Sequence, residues 1–307
     1  MSSHKIVFFG TSDFAVPILR RLAKDDRFEL LAVITQPDRP VGRKAILTSP
    51  PIKEAAVALS IPVYQYENMK SEEAFEGLKK LSADFYTVAS FGQIIPQRIL
   101  DLSKLGAINV HASLLPKYRG ASPIAAAILA GEKETGVSIM LMDAKMDHGA
   151  VLASAVEAIK PGDTTTSLSK RLAELGAGML PESMIGFAKK EIAAKEQDHS
   201  RATFVKMLSR EDGRIDWNTS AKEIERAVRA YIPWPGCFFE LSGKRVKILA
   251  ASLGSESEAV PGTHEIVDQY PAIVCGDHSL LVLKEIQPEG KSTMRGDVYL
   301  NGAKNWK

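Results

Sequence analysis

A strand, a tight turn and a helix at the start of the chain constrain the fold more than any other feature. Residues 5–9 form a β-branched and aromatic run that stops at Gly10, and helix-capping residues then precede an apolar run at 14–22. The alternation continues with strands predicted over residues 30–35, 85–89, 105–110, 136–142 and 151–159, and with helices predicted over 52–59 and 165–189. Such alternation favours an open, mostly parallel Rossmann-like α/β sheet, which binds ligands at the carboxyl ends of its strands.

The character of the sequence changes after the long predicted helix. Residues 193–207 are polar and charged with little periodicity, so we predict a linker between a first domain over 1–192 and a second over 208–307. The length of 307 residues is that of two ordinary domains. In the second domain, a helix with a capping-box start is predicted over 220–231, and short strands with frequent turn residues follow. This pattern favours a small β-barrel of OB-like type.

Charge, cysteine content and the lengths of the apolar stretches bear on the possible partners and location of the protein. The 39 basic and 37 acidic residues leave a net charge of +2, which does not by itself indicate a nucleic-acid partner. Cys237 and Cys275 lie far apart without metal-ligand spacing, so neither a disulfide framework nor a metal site is predicted. No apolar stretch approaches the roughly 18 residues that span a membrane, and the first residues resemble no targeting signal. A cytoplasmic protein without membrane contact is therefore expected.

Asn109 and His111 are the strongest candidates for a catalytic site. They lie two residues apart at the carboxyl end of a predicted strand, so they project from one face while Ile108 and Val110 pack against the opposite layer. Acyl transfer requires such a pair, because one group stabilises a developing oxyanion and the other hydrogen-bonds or moves a proton. On this pair alone, a structural histidine beside a turn-forming asparagine remains the alternative.

The acidic turn over residues 142–150 is the next candidate. Asp143 and Asp147 lie between two predicted strands and close to Gly149, where aspartate commonly serves as a turn residue. The functional alternative is a carboxylate that returns to the sheet near His111 and orients the imidazole or raises its basicity.

Gly10 stands where a dinucleotide-binding fold carries its glycine fingerprint, but the match is partial. Ser12 and Ala15 replace the other two glycines, and Asp38 follows the second strand about where a ribose-binding acid would lie. A nicotinamide-dependent oxidoreductase is therefore an alternative of another class, weakened by the missing second glycine. A non-enzymatic RNA-binding module is a third alternative, although its tail is nearly neutral.

The segment that begins Asn109-Val110-His111 resembles the formyltransferase family that uses 10-formyltetrahydrofolate. The resemblance rests on this triplet, on the run Ser113-Leu114-Leu115-Pro116 and on the spacing of Asp147. It extends over nearly the whole chain and includes residues 10–15, 35–43, 214–217 and 233–236. It is closest to the members that formylate methionine on initiator tRNA.

The resemblance implies a role for each of these residues. Asn109, His111 and Asp147 would catalyse formyl transfer to the α-amine of initiator methionyl-tRNA in translation initiation, without a metal. The second domain would assist tRNA binding, and a monomer is expected. Ser113, Leu114, Leu115 and Pro116 would form part of the folate-binding surface. An apolar loop with Phe91, Ile94 and Ile95 is expected to supply walls for the flat pterin ring, and a helix entrance that caps the core is its alternative. Asp143 is also expected to bind the folate.

The loop over residues 36–49 exceeds the usual length of a connection between a strand and a helix. Its cations Arg39, Arg43 and Lys44 are predicted to contact the tRNA acceptor stem, and a solvated surface loop is the alternative. A formyltransferase acting on a nucleotide-linked amino sugar would share the catalytic residues. The basic loop and the tryptophan-containing tail argue against that acceptor.

Overall fold

The structure is a computed structural model that describes residues 3–42, 45–303 and 306. The strands are β1 His4–Gly10, β2 Phe28–Thr35, β3 Arg39–Val41, β4 Ile46–Thr48, β5 Val63–Gln65, β6 Phe85–Ala89, β7 Gly106–His111, β8 Arg119–Gly120, β9 Glu134–Leu141, β10 Val151–Ala158, β11 Phe204–Val205, β12 Cys237–Leu241, β13 Lys244–Glu256, β14 His264–Val267, β15 Tyr270–Val274, β16 Ser279–Pro288 and β17 Met294–Arg295. The helices are α1 Ala15–Ala23, α2 Pro51–Ala58, α3 Glu72–Lys79, α4 Gln97–Leu100, α5 Pro123–Ala130, α6 Thr165–Ala188, α7 Ala221–Ala230 and α8 Gly296–Gly302. Within these described ranges, no helix is both long enough and apolar enough to span a membrane.

The first sheet contains seven strands in the order β10-β9-β7-β6-β1-β2-β5. The strands from β7 to β5 run parallel, whereas β9 is antiparallel to its neighbours β7 and β10. Central strands with both faces covered are continuous apolar runs, and Val7, Phe8 and Phe9 of β1 are fully buried. The predicted open, mostly parallel α/β sheet is confirmed.

The two faces of the sheet pack against different helices. On one face, Phe9 and Tyr86 share a core cluster with Leu78 of α3 and Ile99 of α4. On the other face, α6 approaches closely, since a β-carbon on its Gly176 would lie 2.7 Å from a methyl carbon of Val110. Alternation along β7 therefore places Val110 under α6 and leaves Asn109 and His111 on the opposite face.

The carboxyl-terminal part of the chain, from α7 onward, contains helices and an antiparallel sheet. Ser220 is the N-cap of helix α7. Its hydroxyl accepts from the Glu223 N–H at 3.3 Å while the Glu223 carboxylate accepts from the Ser220 N–H, which is the predicted capping box. The sheet has the order β12-β13-β16-β15-β14, with β17 paired to β16. Ile224 and Val228 of α7 share a buried cluster with Ile248 of β13. The predicted class, an α/β sheet followed by a small domain of antiparallel strands, is confirmed, although β13 with 13 residues and β16 with 10 residues are longer than the short strands predicted.

The chain forms two compact units whose limits differ from the predicted domains. One unit contains the chain up to Pro123, Glu134–Ala158 and Ser169–Val205, and the other contains Ile124–Lys133, Ile159–Leu168 and the tail from Lys206. Most of the segment predicted as a linker thus belongs to the first unit. Lys195 exchanges backbone hydrogen bonds of 2.8 and 2.9 Å with Val151, and β11 pairs with β8. Composition predicted a linker because main-chain pairing of this kind leaves no apolar pattern in the sequence.

Candidate active site beside strand β7

The structure brings Asn109, His111 and Asp147 together. The Asp147 Oδ1 atom lies 3.4 Å from Asn109 Nδ2 and 3.5 Å from His111 Nδ1, while Oδ2 accepts a hydrogen bond of 2.7 Å from the Gly120 N–H. Asn109 is half-buried and His111 is 5% exposed. The two contacts to Oδ1 are longer than an ordinary hydrogen bond, so neither Asn109 nor His111 binds this oxygen strongly.

The ring of His111 has a polar group on each side. Its Nε2 atom lies 3.0 Å from the carbonyl oxygen of Tyr118, which can only accept, so Nε2 carries a hydrogen. The other nitrogen, Nδ1, then faces the Asp147 carboxylate. At 3.5 Å, the contact between Nδ1 and Asp147 Oδ1 is longer than an ordinary hydrogen bond. The ring is therefore oriented by the Tyr118 carbonyl, with its second nitrogen close to the carboxylate.

The backbone around the carboxylate adopts left-handed conformations. The φ angles are +47° at Asp147, +59° at Tyr118 and +116° at Gly120. A β-carbon at position 120 would lie 2.2 Å from the carbonyl oxygen of Val205, so only glycine fits there. Left-handed non-glycine residues cost about 1–3 kcal/mol each and concentrate at functional sites.

The turn over residues 113–116 follows β7 directly. Ser113 is fully buried, and its hydroxyl donates to the carbonyl of Lys117 at 2.6 Å. The hydroxyl of Ser138 donates to the Ser113 carbonyl at 2.8 Å and accepts from the Leu115 N–H at 3.1 Å. Ser113 therefore stabilises the turn, whereas Leu114, Leu115 and Pro116 are half-buried. The predicted contact of Ser113, Leu114, Leu115 and Pro116 with folate remains a prediction.

The predicted folate loop follows β6, whose Val88 pairs with Asn109, so it emerges at the same edge of the sheet. Phe91 and Ile95 belong to the apolar core, and the Phe91 ring packs edge-on against Phe9 with ring centres 5.5 Å apart. Ile94 is 67% exposed. Of these three predicted folate contacts, Ile94 is the one with an accessible apolar side chain.

Asp143 contacts one of a group of polar side chains that the sequence did not predict to lie together. Its Oδ2 lies 2.7 Å from Nδ1 of His148, and the His148 ring stacks on His199 with centres 4.0 Å apart. Gln197, which lies in the segment predicted as a linker, also contacts this loop. Asp143 and His148 are five positions apart, but His199 and Gln197 lie about 50 positions from the residues that they contact, so no sequence pattern marked the group.

The predicted tRNA loop contains a short hairpin in which β3 pairs with β4. Arg39 forms an exposed ion pair of 2.6 Å with Glu67. Arg43 and Lys44 lie outside the described residues. Ile46 and Leu47 of β4 are 62% and 67% exposed. The hairpin therefore presents side chains to solvent.

The residues that a dinucleotide site would use are engaged in internal contacts. The Thr11 hydroxyl donates to the Phe91 carbonyl at 2.6 Å, and the Ser12 hydroxyl donates to that of Ser90 at 2.7 Å. Hydrogen bonds from the Lys53 ammonium hold the pKa of Asp38 below its usual value. These contacts disfavour the oxidoreductase alternative.

Both cysteines are buried in the second unit. Desolvation raises the pKa of Cys237 and of Cys275 to about 12. Neither thiol is therefore an effective nucleophile near neutral pH.

Two family models match the chain. The formyl transferase model matches residues 4–184, and the formyl transferase C-terminal domain model matches residues 207–304. These matches confirm the family indicated by the segment around His111.

Curated relatives match over nearly the full length. The chain is 44% identical to the methionyl-tRNA formyltransferase of Roseiflexus castenholzii over 304 residues, covering 98% of this chain and 97% of the relative. It is 40% identical to that of Bacillus subtilis, covering 97% and 95%.

Solved structures of lower identity share the fold. The N-formyltransferase from Helicobacter canadensis, in complex with folinic acid and dTDP-3-aminofucose, is 20% identical with a TM-score of 0.66, covering 92% of this chain and 98% of that one. HypX from Aquifex aeolicus, in complex with tetrahydrofolic acid, is 16% identical with a TM-score of 0.63, covering 99% of this chain and 47% of that one. At these identities the likeness concerns the fold alone.

Proposed function

The chain belongs to the formyl transferase family, and we propose that it transfers a formyl group from 10-formyltetrahydrofolate to the α-amino group of methionine on initiator methionyl-tRNA. The observation that carries this proposal is the convergence of Asn109 and His111 on the Asp147 carboxylate, in a chain whose high-identity relatives are methionyl-tRNA formyltransferases. The product serves translation initiation, so we place the activity in the cytoplasm.

The reaction makes one bond and breaks one. The methionine amine attacks the formyl carbon, and the carbonyl oxygen of the formyl group gains negative charge. The bond between that carbon and N10 of the folate then breaks, and the proton lost by the amine is delivered to N10. The protein must therefore stabilise an oxyanion and carry one proton.

Asn109 is the proposed oxyanion donor. Its Nδ2 is held only loosely by Asp147 at 3.4 Å, so it can donate to a substrate oxygen without breaking a strong internal bond. Its anchorage in β7 fixes the direction of that donor before substrate arrives. A donor of this kind is worth roughly 3 kcal/mol of barrier.

His111 and Asp147 are proposed to stabilise the oxyanion and to help carry the proton. The Tyr118 carbonyl holds the hydrogen on Nε2, so Nδ1 is the ring nitrogen that can take up or release a proton. When Nδ1 carries a proton, His111 is a cation and its Nδ1–H group would stabilise the oxyanion. We rank this stabilisation above direct proton transfer for His111, with Asp147 accepting the amine proton directly or through water.

The remaining predicted contacts are proposed as binding residues. The half-buried apolar side chains at 114–116 and the exposed Ile94 fit a flat, partly apolar pterin ring, while Phe91 and Ile95 support the loop from within the core. Asp143 offers a carboxylate that is 40% exposed and oriented by His148. Arg39, Arg43 and Lys44 are proposed to contact tRNA, with the tail assisting.

The test is formyl transfer by the full-length protein from 10-formyltetrahydrofolate to charged initiator tRNA. A nucleotide-linked amino sugar is assayed beside it as the competing acceptor. We expect transfer to methionyl-tRNA and not to the sugar. Transfer to the sugar alone would contradict the proposal and favour the amino-sugar alternative.

A further inference from the structure

A buried arginine lies behind the candidate active site. Arg119 of β8 is 3% exposed, and its guanidinium donates to Gln197 Oε1 through Nη2 at 2.6 Å and through Nε at 3.2 Å. Nη2 also lies 2.8 Å from His199 Nδ1, which must accept because a guanidinium only donates. A buried charge is costly, so one that is met by an amide oxygen and an imidazole invites a functional explanation.

Arg119 determines the orientation of the Gln197 amide. Because the guanidinium can only donate, the atom that faces it must be the amide oxygen, and the NH₂ group must point the other way. That NH₂ group donates to the carbonyl of Asp147 at 2.9 Å and to the carbonyl of Gly149 at 2.7 Å. One side chain therefore bridges two carbonyls of the loop that carries the predicted catalytic carboxylate.

The main chain of this loop needs such support. Asp147 has a φ of +47°, a conformation that persists in non-glycine residues only where the surroundings impose it. Gly149 packs so tightly that an added β-carbon would lie 2.1 Å from the carbonyl oxygen of Leu141. The direction of the Asp147 side chain depends on both the backbone conformation of Asp147 and the packing of Gly149.

A second series of side-chain contacts connects Arg119 to Asp143. Arg119 holds His199, whose ring stacks on His148, and Nδ1 of His148 lies 2.7 Å from the Asp143 carboxylate. The loop over residues 143–149 is thus held at both ends through a single guanidinium.

We propose that Arg119 and Gln197 are positioning residues that hold the 143–149 loop so that the Asp147 carboxylate faces Asn109 and His111. This inference rests on the proposed function for its kinetic consequences. The segment around Gln197 then serves the first unit as a support for its active site.

Gln197→Glu is the sharpest variant. It preserves size and keeps an acceptor for Arg119, but it replaces the donor to the two carbonyls by a second oxygen. Gln197→Ala removes both contacts, and Glu196→Ala serves as the control because it truncates an exposed neighbouring side chain. All three are made in the full-length protein and compared by melting temperature first.

Both Gln197 variants are expected to lower kcat about 10- to 100-fold, the range that a displacement near 1 Å produces. The KM values for folate and tRNA are expected to stay within about twofold of the parent, because neither substrate touches Gln197 in this account. The control keeps the parental kcat. Parental kcat in Gln197→Glu, or a loss of activity matched by a loss of folded protein, would overturn the proposal.

Amide hydrogen exchange separates this inference from the proposed function. Peptides that cover 143–149 are expected to exchange faster in both Gln197 variants, with the strands of the second unit unchanged. Unchanged exchange in that loop overturns the positioning role whatever the acceptor proves to be. Faster exchange in a protein that fails to formylate methionyl-tRNA would support the loop contacts and contradict only the proposed substrate.

Discussion

The loop that carries Asp147 and the hairpin formed by β3 and β4 are both connections of the first unit, yet they are built in opposite ways. The Asp147 loop is held by Gly120, Gln197 and the surrounding rings. The hairpin exposes Ile46 and Leu47, and its Arg39 is tied by a surface ion pair. Chemistry requires groups fixed before substrate arrives, whereas contact with a large polyanion requires exposed side chains that can reach its phosphates.

The comparison assigns different measurable quantities to the two connections. Changes in the Asp147 loop and the facing β7 residues should act on the maximal rate. Changes in the hairpin should act on tRNA affinity and on its salt dependence.

Asp147→Asn should lower kcat by about 10²- to 10⁴-fold, the range for loss of an acid–base group. The amide can keep the bond from the Gly120 N–H, but its NH₂ group would then face the donor of Asn109 and the ring of His111. The melting temperature should change little. Asp26→Asn, the same change on an exposed carboxylate, is the control and should leave both quantities unaltered. A fall in melting temperature that parallels the fall in activity would instead indicate a structural carboxylate.

Asn109→Ala should lower kcat by about 10²- to 10³-fold, because the lost hydrogen bond matters mainly once the oxyanion forms. Folate affinity, measured by equilibrium titration, should stay within about twofold. Parental turnover in this variant would remove Asn109 from the mechanism.

Arg43→Ala should weaken tRNA binding and flatten the plot of log K against log salt by somewhat under one unit. Arg43→Lys keeps the charge but loses the planar fork, so continued impairment would indicate directional hydrogen bonding. Folate affinity should not change, and Arg20→Ala on α1 is a control at an exposed arginine. Parental formylation by both Arg43 variants across a range of salt would make Arg43 a solvated loop residue.

Arg39 should show the smallest effect. Its ion pair with Glu67 offsets part of its charge, so Arg39→Ala is expected to weaken tRNA binding by no more than about fivefold, the range of one exposed pair. Glu67→Gln removes the negative partner of the Arg39 guanidinium and should therefore strengthen tRNA binding. Binding titrations at two salt concentrations measure both, and weaker binding in Glu67→Gln would contradict the role given to Arg39.

Much of the fold was predictable because apolar periodicity reports burial directly. Strand β6 was predicted over its full observed range, and α7 to within one residue at each end. The three-residue strand β5 and the helix α3 were missed, since β5 is too short for a pattern and α3 carries few apolar residues. The antiparallel direction of β9 could not be predicted either, because an apolar run does not show in which direction a strand runs within the sheet.

The candidate site was predictable only in part. Asn109 and His111 lie on one strand, so alternation placed them on one face. The approach of Asp147 depends on the path of a loop, and its partner Gly120 contributes a backbone N–H that no residue type reveals. Gln197 lies in a polar segment and acts through its amide on carbonyls about 50 positions away, so neither its composition nor its spacing marks it.

The most direct test is the single-turnover rate of formylation, measured against the concentration of charged initiator tRNA for the parent, Asp147→Asn and Arg43→Ala. We expect Asp147→Asn to lower the maximal rate by at least about 100-fold and to leave the half-saturating concentration within about twofold. For Arg43→Ala we expect the reverse, with a raised half-saturating concentration and a nearly parental maximal rate. A parental maximal rate in Asp147→Asn, or the same parameter changed in both variants, would contradict the separation between a catalytic loop held by internal contacts and an exposed binding hairpin.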